Sequence, residues 1–369
     1  MKKSFFLFLI SFLCQTSFSQ IVKLYKGDQL VRQYSENAVD KVVFEQKPSV
    51  PTFFVNYRET DGVLMGGAKT STIFCNRHLN EDKDICVSIG NKINTINKNF
   101  DLMDIYLAER EGDEVTNKLP YNSSVQWILG HQTDYIMPIR VQAVNNVDGD
   151  FPTNKDYFTG GFHGYGNNTS GNYSATMKEI SKEVYVDGEV LHPSESAECS
   201  ELCVIVKNKI QGANTQKKDG SGRYVILQTI KVIFVGDYIY TDIEFQPLED
   251  IYAYQIGGLS FYNDFNNIQF VGSRKYVGIY PSDKVQRADK FVTAIRQFND
   301  EYSFEVFIDK SVGIGNLKYN GGTYNASIES AHKSYFHLLT DDKPAPYLFK
   351  VGDKICISGG YRFYCNKDQ

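Results

Sequence analysis

Proline is scarce, with 10 in 369 residues, and tryptophan occurs once. Pro-rich linkers are therefore excluded, and 29 glycines scattered without a three-residue period exclude a collagen-like rod. Positive charge is short as well. Lys and Arg total 39 against 44 Asp and Glu, and a net charge of −5 leaves no basic footprint for nucleic acid. Past residue 20 no apolar run reaches the length of a membrane-spanning helix, so no membrane span is expected. The Gly-x-Ser-x-Gly elbow, the phosphate-binding P-loop, the His-Glu-x-x-His zinc motif and the EF-hand loop are all missing. No metal or cofactor is called for, and only a structural calcium ion is left open.

Aromatic and apolar residues are what the chain has: 25 Tyr, 25 Phe and a hydrophobic fraction of 42%. Such a composition folds rather than staying disordered, and the length is ample for a large core. The start reads as an export signal. Lys2 and Lys3 precede the apolar stretch Phe5 to Leu13, and Ser17-Phe18-Ser19 places small residues where a signal peptidase reads them. Cleavage after Ser19 would leave a secreted, periplasmic or cell-surface protein. The competing lipid anchor at Cys14 is disfavoured by the bulk of Leu13 before it.

Without Cys14, six of the seven cysteines remain, as the local pairs Cys75/Cys86, Cys199/Cys203 and Cys356/Cys365. An even number in an oxidising compartment favours disulfides, with connectivity left open. No CxxC accompanies them, which argues against zinc.

Beyond the signal (1–19), residues 20–50 read as a small β segment and 51–369 as one β domain. Strand signals dominate the latter. Ile139, Val141 and Ala143 alternate with Arg140 and Gln142, and Asp187-Gly188 marks a hairpin after Val184-Tyr185-Val186. From Asp237 to Phe245, Ile239, Thr241, Ile243 and Phe245 point one way while Tyr238, Tyr240, Asp242 and Glu244 face the other. Period-two alternation of this kind buries one face and wets the other. One helix is expected, over Ser282 to Phe298, from the spacing of Val285, Phe291, Ile295 and Phe298 with Ser282 as cap. The expected fold is all-β: an antiparallel β-sandwich of jelly-roll type with a small N-terminal β appendage.

The most unusual local sequence is Thr159-Gly-Gly-Phe-His-Gly-Tyr-Gly-Asn-Asn168. Glycines admit close approach to the backbone, and an imidazole there exchanges protons near neutral pH, which makes His163 and Tyr165 catalytic candidates. Arg140 and Gln142 share a strand face and suit a planar carboxylate. Arg223 and Gln228 are similar candidates on the long central strand. His131, just upstream, and the Tyr-rich group Tyr254, Gln255, Tyr262 and Asn263 complete a substrate-binding set. Tyr rings stack on sugars while amides read hydroxyls. Asp242 and Glu244 are a candidate carboxylate pair for glycoside hydrolysis.

The run from Thr133-Asp-Tyr-Ile136 through Gly160-Gly-Phe-His-Gly164 to Val184-Tyr-Val-Asp-Gly188 resembles a group of bacterial and prophage surface proteins bearing a Gly-Gly-x-His-Gly block. That resemblance spans about a third of the chain and implies contact with extracellular polysaccharide. A looser architectural likeness is to jelly-roll polysaccharide lyases, which pair His and Tyr as base and acid and neutralise a uronate with Arg, Gln or Asn. His163 and Tyr165 would take the first role, with Arg140 or Arg223 in the second. The Gln-Ile-His and Tyr-x-Lys-x-Gly-x-Tyr-x-Gln strands of the alginate-cleaving family are absent. The expectation is thus a secreted polysaccharide-active protein, a lyase first, with a non-catalytic glycan-binding protein or a glycoside hydrolase as alternatives.

Overall fold

The computed structural model describes residues 21–26, 29–35, 52–61, 69–91, 95–110, 112, 115, 126–130, 133–281, 286–312, 324–329, 332–340 and 345–366. The chain divides into two compact units, Met1–Gln46 and Lys47–Gln369. In the first, β1 (Ile21–Lys26) and β2 (Gln29–Ser35) form an antiparallel hairpin. The expected signal sequence lies outside the described residues.

The described residues of the second unit form three antiparallel sheets. The first six-stranded sheet runs β11 (Ser196–Cys199), β3 (Phe53–Asp61), β4 (Lys69–His78), β5 (Lys83–Asn91), β6 (Phe100–Glu109) and β7 (Gln126–Gly130). A ten-stranded sheet runs β10 (Glu189–Val190), β9 (Met177–Val186), β12 (Glu201–Gln211), β13 (Tyr224–Val235), β14 (Tyr238–Pro247), β24 (Ile355–Cys365), β20 (Tyr302–Ile308), β19 (Ala294–Phe298), β16 (Asn267–Val271) and β17 (Ile279–Pro281). The third sheet runs β18 (Gln286–Asp289), β21 (Tyr324–Glu329), β22 (Lys333–Leu339), β15 (Ile251–Tyr262) and β23 (Tyr347–Phe349), and β8 (Ile139–Ala143) also pairs with β15. The architecture is a β-sandwich in which both smaller sheets cover one face of the large one.

Side-chain parity explains that stacking. Along β14 the odd residues are buried and the even ones half-exposed, and the register with β13 and β24 sets Phe234, Ile239 and Tyr361 in one row. Phe53 of the first small sheet meets Phe234 edge-on at 6.4 Å. Phe261 of the third sheet meets Phe304 at 4.8 Å. Tyr361 is fully buried, and its hydroxyl donates to the carbonyls of Tyr135 and Ser260. Each such aromatic buries enough apolar surface to contribute about 2–3 kcal/mol.

Two expectations are corrected here. Where a helix was expected over Ser282 to Phe298, residues 286–289 and 294–298 are strands, and 282–285 lie outside the described residues. Ladders to β16 and β20 impose a period of two on Ala294–Phe298, so Ile295 and Gln297 are both fully buried. Gln297 donates its amide nitrogen to the Ser334 hydroxyl and the His332 carbonyl. Tertiary pairing outweighs a weak helical pattern.

The expected disulfides are also absent: none of the six described cysteines is joined to another. Cys75 stands opposite Val87 while Cys86 stands opposite Asn76, so the two side chains leave opposite faces of their sheet. Cys199 is buried at the end of β11, whereas Cys203 stands on β12 opposite Ile233, on the half-exposed face of the large sheet. Cys356 and Cys365 sit nine positions apart on β24, roughly 30 Å at the rise of an extended strand. These six should therefore titrate as thiols in denaturant without reductant. In the native protein Cys203 and Cys356, both half-exposed, should react ahead of the buried Cys75, Cys86, Cys199 and Cys365. Mass spectrometry after alkylation reads both, and a disulfide-linked peptide would refute the first.

Candidate active site

The Gly-Gly-Phe-His-Gly block is pinned from two sides. Asn97, buried between β5 and β6, donates through Nδ2 to the carbonyls of Gly161 and His163, each at 2.9 Å. Its Oδ1 accepts from the amides of Thr176 at 2.8 Å and Met177 at 3.2 Å. From the other side Asp134 accepts the Phe162 amide at 2.6 Å. Gly161 has φ +51°, and a Cβ there would lie 2.7 Å from the Asp134 carboxylate, so glycine is required both conformationally and sterically. The glycines serve close packing.

Within this block the side chains part company. His163 packs at 5.1 Å on the Phe158 ring, and the Arg140 guanidinium sits 4.2 Å over the same ring. His163 and Arg140 are thus both brought to the Phe158 ring. Tyr165 instead packs at 5.0 Å on Phe151 and donates its hydroxyl to Asp150 at 2.9 Å. That hydrogen bond raises the Tyr165 hydroxyl above its ordinary 10.

Burial holds His163 below its ordinary 6.5, against an opposing pull from Asp134 and Asn167. The fold therefore favours the neutral ring: its contribution is complete above pH 6.5 and is lost as the pH falls from there through the folded-state value. Replacing His163 with Gln should flatten that part of the stability profile, measured by urea unfolding across pH 5 to 7. An unchanged slope would refute the assignment.

The other expected site residues are dispersed. Arg223 is neutralised by Asp148 and Glu249 and donates to the Asn146 carbonyl. Gln142 is buried, its amide shared between the Asn154 carbonyl and the Tyr254 hydroxyl at 2.8 and 3.0 Å. It joins Tyr254 but offers nothing to a carboxylate beside Arg140. Gln228 is a core amide bonded to Asn208 at 3.0 Å, so the substrate role expected of it is corrected. Gln255 is buried opposite Arg140 in the β8–β15 ladder. Asn263 is fully buried and turns its Oδ1 to the Phe265 amide, while Tyr262 is half-exposed at the end of β15. His131 lies outside the described residues. Asp242 accepts from Ser358, and Glu244 holds Lys354 and Gln246, so neither carboxylate stands ready for hydrolysis.

A different place has the shape of a site. A cleft of about 800 Å³ is lined by His78, Leu79, Asn80, Glu81, Asp82, Lys83, Arg110, Glu301, Tyr302 and Cys365. One wall is the β4–β5 turn, in which Asn80 Oδ1 accepts the amides of Asp82 and Lys83. His78 and Asp84 flank that turn as direct cross-strand partners, and His78 Nδ1 lies 2.6 Å from the Asp84 carboxylate. Asp84 is fully buried while His78 keeps 28% of its side chain exposed. Arg110 is braced by the carbonyls of Gly112 and Asn80, and Lys83 pairs with Glu109. Opposite, burial pushes the Tyr302 hydroxyl above 10, with Glu301 adding to the effect, so it stays protonated at neutral pH.

An imidazole oriented by a buried carboxylate, a protonated phenol and a guanidinium on one polar cleft are the groups of acid–base chemistry on an anionic, hydroxyl-rich ligand. The signal for the pair was in the sequence: His78 and Asp84 are equidistant from Glu81 at the centre of a polar turn between alternating strands. Among the described residues no group of three or more His, Cys, Asp or Glu could hold a metal ion, and no helix is long and apolar enough to cross a membrane.

No protein-family model and no curated protein matches the chain. Among solved structures it is similar to galactose 1-epimerase from Lactobacillus acidophilus NCFM, with a TM-score of 0.37 and 10% identity over 86% of this chain and 99% of that one. A likeness at that level bears on neither substrate nor site.

Proposed function

We propose that this chain is an exported protein that cleaves a uronate-containing polysaccharide by β-elimination, with the His78 cleft as its working site. The observation that carries the reading is the His78–Asp84 pair on the wall of a cleft that also holds Tyr302 and Arg110. In this reading His78 takes the proton on the carbon alpha to the uronate carboxylate. The released electron pair forms the new carbon–carbon double bond, the glycosidic carbon–oxygen bond breaks, and Tyr302 delivers its proton to the leaving oxygen. Arg110 faces the carboxylate, on which negative charge grows as the proton leaves. Incubation with polygalacturonate, alginate and glucuronan, followed by ultraviolet absorbance of the unsaturated product, tests this; no absorbance rise on any of them removes the lyase.

A second reading, glycan binding without cleavage, is favoured by the open face of the large sheet. There the half-exposed Tyr238 and Tyr240 stack at 5.4 Å, and each meets Phe307 edge-on at 6.0 Å. Retention on glycan without shortened chains would select it.

A further inference from the structure

Arg274 and Lys275 in the β16–β17 loop, Arg287 on β18 and Lys290 just after it are all exposed, and none enters an ion pair among the described residues. Elsewhere Arg77, Lys83, Arg223, Lys354 and Arg362 are paired with carboxylates, whereas here four unpaired cations gather around one loop and one strand. One acid ties the β16–β17 loop to the end of β18. Asp289 receives the amides of Arg274 and Lys275 and the Ser273 hydroxyl on one oxygen and the Phe291 amide on the other, so its charge is spent inward. Arg274 lies 3.6 Å and Lys290 5.9 Å over the Phe291 ring, and Arg287 lies 4.7 Å over Tyr324. Lys310 donates to the Lys290 carbonyl and is held down to about 8 by burial.

We infer that this island is a binding surface for an acidic glycan chain, separate in its residues from the His78 cleft. Guanidinium groups laid flat on aromatic rings present their edges outward, the geometry that grips carboxylate or sulfate in pairs. Because Phe291 is capped by Arg274, it is closed to the base stacking that single-stranded nucleic acid requires. An acidic protein meeting an acidic polymer gains attraction where its positive charge is unspent, and four such groups offer it. The choice of a glycan rests on the proposed function, whereas the anion site itself does not.

The test uses the full chain with Arg274, Lys275 and Lys290 all changed to Gln, compared with wild type by calorimetry and affinity electrophoresis on polygalacturonate and heparin. Wild type should bind either the carboxylated or the sulfated polymer, lose that binding as salt rises, and ignore neutral dextran. The triple variant should bind about tenfold more weakly with an unchanged melting temperature. Cleavage of short uronate oligomers, if wild type performs it, should be retained. Equal binding by variant and wild type overturns the proposal even if cleavage is found, as does a failure of wild type to bind either polyanion. Tighter binding to single-stranded DNA or to phosphatidylserine vesicles overturns the glycan assignment. Absence of cleavage with variant-sensitive binding removes the lyase reading alone.

Discussion

Changing His78 to Ala should lower the rate of unsaturated-product formation by about 10²–10⁴, the usual worth of a positioned general base. The expectation follows from position. His78 is the cleft residue whose ring is oriented by a buried carboxylate, and Asp84 has no exposure of its own. Asp84→Asn should retain the shape while removing the charge that steadies the ring and an imidazolium on it, with a smaller loss. Tyr302→Phe should lower the rate with little change in KM, since it removes a proton donor and leaves the cleft's volume. His163→Ala is the control that separates the two histidines: it should cost stability in its loop and leave the rate intact. Wild-type activity in the His78 variant, or its disappearance in the His163 variant alone, would move the site back to the Gly-Gly-Phe-His-Gly block.

The architecture was legible because its cause is local. Alternation from Asp237 to Phe245 reports which side chains face the core, and β14 has that parity residue by residue. Asp187 and Gly188, at φ +51° and +91°, make the turn that their dipeptide announces. What failed to show depends on partners distant in sequence. Residues 294–298 are a strand because β16 and β20 flank them, and nothing in the segment states that. The cysteine pairs look close in sequence but are separated by register and by length along β24. Gln228 resembled a ligand-binding amide until Asn208 appeared opposite it across the β12–β13 ladder. The glycine-rich block advertised chemistry because close packing and ligand approach both demand glycine. Asn97, 66 residues before His163, and Asp134, on the other side of the block, distinguish them.

Asn97 is accordingly the position where a small change should cost the fold most visibly. Changing it to Ala should destabilise the protein by about 3–5 kcal/mol, since it strips partners from several buried groups at once. The Gly161 carbonyl loses its donor and the Thr176 and Met177 amides lose their acceptor, whereas the His163 carbonyl keeps the Thr176 hydroxyl. Asn97→Asp separates the two halves of the network. It preserves acceptors for Thr176 and Met177 but brings carboxylate oxygen against the Gly161 and His163 carbonyls, so the loop should loosen at its glycine end first. Hydrogen exchange should show this as faster exchange in residues 160–177 for both variants, with β12 and β13 protected as before. Urea unfolding supplies the free energy, and a loss below about 0.5 kcal/mol for the Ala variant would mean that water replaces the amide at little cost. Because Asn97 does not line the His78 cleft, the folded fraction of either variant should still cleave substrate at the wild-type rate. A catalytic loss in excess of the unfolded fraction would instead tie the block to the chemistry.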